Sequence, residues 1–90
     1  MKLLVRRVNG DSMLPTLKEG QIVVGWKQSS IKQSDIVILS HNGVEKIKRV
    51  KSLSSQGVYV VGDNEKQSTD SRQFGVLLPK AILAKIIWPL

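Results

Sequence analysis

Apolar and polar residues alternate along much of this chain, and short clusters of Gly, Asn, Asp, Ser and Pro interrupt the alternation. A period of two sustained over about four to eight residues argues for half-buried β-strands. On this pattern residues 3–8 read as a strand, with Leu3, Val5 and Arg7 on one face. Residues 21–26 read as a second, rich in β-branched side chains. Residues 35–40 hold the run Ile36-Val37-Ile38-Leu39, the length of a fully buried strand. His41-Asn42-Gly43 follows, and Asn-Gly between two apolar runs predicts a hairpin returning over residues 44–51. Residues 52–57 read as a polar turn and 58–61 as a fifth strand. Residues 79–83 suit one helical turn with Pro79 near its start, and residues 84–88 a last strand. The pattern predicts an all-β, or β-rich, domain of about six short strands.

Two stretches break the pattern. Gly10-Asp11-Ser12-Met13-Leu14-Pro15-Thr16-Leu17 places a serine between turn-forming residues and a proline. Pro15 fixes its own φ and restricts Leu14, so Ser12 is expected at a strand end or tight bend with its hydroxyl held in one direction. Residues 62–75 have no clear period and are dense in Gly, Asp, Asn and Ser. A loop that long in a small domain is usually functional or disordered.

Ninety residues suit a single domain, 1–90, with a modest core. There is no cysteine, which excludes disulfides, thiolate metal sites and cysteine nucleophiles. No apolar run approaches the ~18 residues of a membrane span. The net charge of +7 is spread along the chain, so membrane contact is expected to be peripheral at most. The aromatic residues, Trp26, Tyr59, Phe74 and Trp88, are too few and too scattered for a base-stacking platform, and no nucleic-acid partner is expected.

A serine hydroxyl is a poor nucleophile until a base takes its proton. The only histidine, His41, sits in the predicted hairpin turn and reads as an exposed turn residue. A lysine can serve if burial lowers its pKa. Alternation puts Val44, Lys46, Lys48 and Val50 on one face of the return strand, which does not choose between Lys46 and Lys48.

The stretch Gly10 to Leu17 resembles the nucleophile segment of type I signal peptidases, the S26 family of serine peptidases. Ile47-Lys48-Arg49-Val50 is similar to the family's lysine segment, and Asp35-Ile36-Val37 to the short segment before it. Gly62-Asp63-Asn64, Ser68, Asp70-Ser71-Arg72 and Gly75 resemble its third box at the same internal spacing. The resemblance implies the compact, mostly antiparallel β fold that signal peptidases share with self-cleaving repressors. It implies Ser12 as nucleophile, Lys48 as general base, and Ser68 as the hydroxyl that orients the lysine amine. It gives Met13, Leu17 and Ile47 to a pocket for a small residue before the scissile bond. It gives Arg49, Asp63, Asp70 and Arg72 to ion pairs that hold the third box against the lysine strand. The Ser12 N–H would supply one oxyanion donor. Gly10 stands where some members carry a second hydroxyl donor.

The chain looks most like the short S26 members without an anchor, the nickel-type superoxide dismutase maturation proteases, which resemble it in the Ser-Thr-Asp-Ser-Arg run followed by Phe-Gly. The expected activity is cytoplasmic removal of a leader from a precursor bound as an extended strand, with no cofactor and no metal. The alternatives are a secretory signal peptidase core and, in another class, a small basic β-module that binds RNA or protein without activity. A repressor would need a DNA-binding domain and a cleavable linker, and the stretch before Gly10 is too short for either.

Overall fold

Six strands form where alternation predicts them: β1 Leu3–Arg7, β2 Ile22–Trp26, β3 Ile36–His41, β4 Val44–Ser54, β5 Gly57–Val61 and β6 Ile82–Trp88. A computed structural model describes residues 2–27 and 30–89. All strand pairs are antiparallel, in the order β1-β2-β6-β3-β4-β5. Asn42 and Gly43 both take positive φ, 52° and 77°, the geometry a two-residue hairpin turn requires. β4 runs three residues beyond its expected end, and the turn into β5 shrinks to Ser55-Gln56.

The continuous apolar run of β3 is explained by two cores, one on each face. Ile36 and Ile38 pack with Val8, Met13, Leu17, Val23, Ala84 and Ile86. Val37 and Leu39 pack with Val50, Val58, Val60 and Leu77. A strand buried on both faces has no place for polar alternation. Leu3, Val5 and Arg7 do share a face of β1, but it is the exposed one; Leu4 turns inward to the first core. The outward face carries Trp26 and Trp88 as well, at 41% and 56% exposure.

The stretch 62–75 is more structured than its composition suggests. It holds a 3-10 turn, Glu65–Gln67, and one turn of helix, α1 Ser71–Phe74. Asp70 caps α1 by accepting from the Arg72 N–H, while the Gln73 side chain accepts from the Asp70 N–H. This reciprocal capping box satisfies donors that a one-turn helix would otherwise leave open. The Ser71 hydroxyl accepts from the buried Val60 N–H at 2.9 Å, which fastens α1 to β5. A second 3-10 turn, Pro79–Ala81, leads into β6, where a helical turn was expected.

Candidate active site

The backbone brings three segments together behind Ser12. After β1, Gly10 takes φ +78°, a region that favours glycine, and the chain enters a turn in which the Thr16 and Leu17 N–H groups donate to the Met13 carbonyl. Met13 and Leu17 are sealed in the first core, at 1% exposure each, and anchor the turn. Ser12 lies half-buried at its start. The Ser12 carbonyl accepts from the Asn64 N–H at 2.8 Å, and the Asp11 carbonyl from the Asn64 side chain at 3.0 Å. Gly62 makes this approach possible. A Cβ there would stand 2.6 Å from the Ser12 carbonyl oxygen and would collide with the Ser68 hydroxyl.

Lys48 enters from the opposite core. It pairs with Val37 across β3 and shares its face with Val50, so its side chain lies along the second core at 4% exposure. Its amine donates to Ser68 Oγ at 3.0 Å, and Ser68 Oγ donates to Asp70 Oδ2 at 2.6 Å. Burial pushes the lysine below its ordinary value; the Asp70 carboxylate pulls it back up, and Lys46 and Arg72 push it further down. Alternation alone could not bury Lys48; the loop folded over it does.

Asp70 is fully buried and saturated with donors: the Ser68 hydroxyl, the Gly62 N–H at 2.8 Å, and the Arg72 guanidinium at 2.6 and 2.9 Å. Burial alone would raise its carboxyl, but Arg72, Ser68 and the backbone donors together hold it well below the usual range. This pair staples the loop to itself, with Arg72 also reaching Glu65 at 3.2 Å, and does not cross to β4 as expected. The tie to the lysine strand is Arg49, whose fork grips Asp63 at 2.8 and 2.7 Å. Thr16 donates to the same carboxylate, so Asp63 joins the serine turn, the loop and β4. Gly62 and Asn64 lie in the third box and Thr16 in the serine segment, but the resemblance gave none of the three a role; the capping box Asp70-x-x-Gln73 is legible in the sequence.

Ser12 and Lys48 line one cleft of about 250 Å³. Among the described residues no hydrogen bond joins Ser12 Oγ to Lys48 Nζ; the amine's hydrogen bond goes to Ser68. The cleft meets Arg6, Arg7, Val8 and Asn9 on one wall and Glu45, Lys46, Ile47 and Lys48 on the other. Consecutive strand residues point to opposite faces, so a cleft that meets four in a row runs along a strand's edge. β5 pairs with β4 only from Arg49 onward, and β1 pairs only with β2, so both edges are open there. The Arg6–Glu45 pair spans the walls at 2.6 and 3.0 Å. Ile47 lines the cleft, as does Met13 although the first core encloses nearly all of it; Leu17 is not among the lining residues. His41 stacks on Phe74 at 4.1 Å and lines a separate groove, away from Ser12.

The chain is a mostly antiparallel β-domain with a serine turn and a buried lysine on one cleft. The sequence matches the family described as Peptidase S24-like over residues 2–77, and the chain belongs to that family. A search of the curated proteins finds no match. Among the described residues no helix is long and apolar enough to cross a membrane, and no cluster of His, Asp or Glu could hold a metal ion.

Proposed function

We propose that the chain is a serine endopeptidase in which Ser12 attacks the scissile carbonyl and Lys48 takes the serine proton. The observation that carries this reading is the burial of Lys48 beside Ser68, on the cleft that Ser12 also lines. Desolvation favours the neutral amine, whose lone pair a base needs, while Ser68 accepts one N–H and fixes its direction. The Ser12 N–H has no acceptor among the described residues and is free to donate to the developing oxyanion. The proton taken by Lys48 then passes to the leaving amine.

The substrate on this reading is a precursor whose leader lies as an added strand between the open edges of β1 and β4. Met13 and Ile47 crowd the residue before the cut, which favours a small one. The Ser-Thr-Asp-Ser-Arg run, residues 68–72, supports a nickel-type superoxide dismutase precursor as the substrate and a cytoplasmic setting. Incubating the protein with such a precursor and with a detergent-solubilised secretory precursor, then sequencing the new N-termini, tests this. A second reading, intramolecular self-cleavage, is favoured by the S24-like family. A concentration-independent first-order cut in the protein alone would distinguish it.

A further inference from the structure

The charges along the cleft are unevenly matched. Its ionisable lining residues are Arg6, Arg7, Lys46, Lys48 and Glu45. Glu45, the sole carboxylate there, is occupied by both arms of the Arg6 fork. Arg7 donates to the Gly20 carbonyl, which leaves its charge uncompensated. Lys46 has no carboxylate partner among the described residues; its ammonium lies over the Phe74 ring, 5.1 Å from the centroid. That contact holds the amine in place without neutralising it. The β1 wall of the cleft therefore carries Arg7, and the β4 wall carries Lys46, a cation with no carboxylate partner among the described residues.

Strand geometry says which substrate residue meets it. Side chains of an added strand alternate between the two faces of the edge they join. On β4, Ile47 and Glu45 face one way, and Lys46 and Lys48 the other. For a strand that runs parallel to β4, a residue seated against Met13 and Ile47 is preceded by one on the Lys46 side, and that one by a residue beside the self-neutralised Arg6–Glu45 pair.

Resting on the proposed strand-like docking, we infer that this cleft selects an acidic leader, with a carboxylate side chain at the second residue before the scissile bond, where it meets Lys46. Arg7 on the facing wall and the +7 charge of the whole chain add attraction of the same sign.

Three matched fluorogenic peptides carrying Glu, Gln or Lys at that residue test the inference. Cleavage is measured with the wild type, and binding by anisotropy with Ser12→Ala. The Glu peptide is expected to exceed the Gln peptide by about two- to fivefold in both kcat/KM and affinity, and the advantage to shrink with added salt. Lys46→Gln should abolish the preference, Lys46→Arg keep it, and Lys46→Glu turn it towards the Lys peptide. Ratios between peptides within one variant cancel any effect of Lys46 on the Lys48 amine. Equal binding of the three peptides, binding of none, or a Glu preference that survives in Lys46→Gln overturns the inference. Preferential binding without cleavage of any peptide overturns the peptidase reading and leaves the acidic recognition standing.

Discussion

Lys48 donates to Ser68 across 3.0 Å, and the same hydroxyl donates onward to Asp70. The amine is therefore held by a neutral group and is kept one hydroxyl away from the carboxylate that would lock it in its charged form. Ser68→Ala should leave the amine without its acceptor. Cleavage is expected to fall by about ten- to a hundredfold in kcat with KM nearly unchanged, because orientation of the base is lost and not binding. Steady-state kinetics on the matched peptides would show the split.

Lys48 itself should set the pH profile. Its native pKa lies below the usual lysine value, so kcat/KM should rise with pH through that lowered value. The sign for stability is the same. Between the lowered native pKa and ~10.4 the unfolded chain binds more protons than the native one, so stability rises with pH across that interval. Lys48→Met should remove both dependences, abolish cleavage, and leave the domain at least as stable in urea. Lys48→Arg should also be inactive, because guanidinium keeps its charge.

Asp70 gives the opposite flank of the profile. Its contribution to stability is complete above ~3.9 and is lost as the pH falls from there through the lower native value. Asp70→Asn should blunt that acid transition, and at neutral pH it should cost about 1–3 kcal/mol, since it weakens the bonds from Arg72, Ser68 and Gly62. Urea melts at pH 7 and pH 3 compare the two proteins.

Gly62→Ala should be costly although its backbone is not in the left-handed region. The added methyl has to displace the Ser12 carbonyl or the Ser68 hydroxyl. A loss of about 1–3 kcal/mol is expected from overpacking, with a larger loss of activity than stability alone explains. Amide exchange at Asn64, whose N–H holds the Ser12 carbonyl, would report the displacement.

The strands were legible because alternation and turn chemistry act locally. Asn42-Gly43 fixed one hairpin, and the run at 36–39 announced a strand covered on both sides. The inward face of β1 was not legible, since Leu3, Leu4 and Val5 are all apolar and only tertiary packing decides that Leu4 faces the core. Lys48 stood out from Lys46 only through resemblance. Its burial comes from the 62–75 loop, whose position depends on contacts from Asp63 to Arg49 and from Asn64 to Ser12, distant in sequence. Only the resemblance gives Leu17 to the pocket, and the turn carries it back into the first core.

β3 divides the interior, and the two halves of the proposed chemistry stand on different sides of it. The serine turn is rooted through Met13 and Leu17 in one apolar compartment, while Lys48 lies along the other with Val37 and Val50. Catalysis then requires two packing units to keep a fixed mutual position, whereas strand content requires only that the sheet persist. Mild warming should accordingly silence the enzyme while its far-ultraviolet circular dichroism is still native, and cooling should restore it. Such a molecule would carry its own thermal cut-off, set by the weaker of two interiors rather than by the melting of the whole.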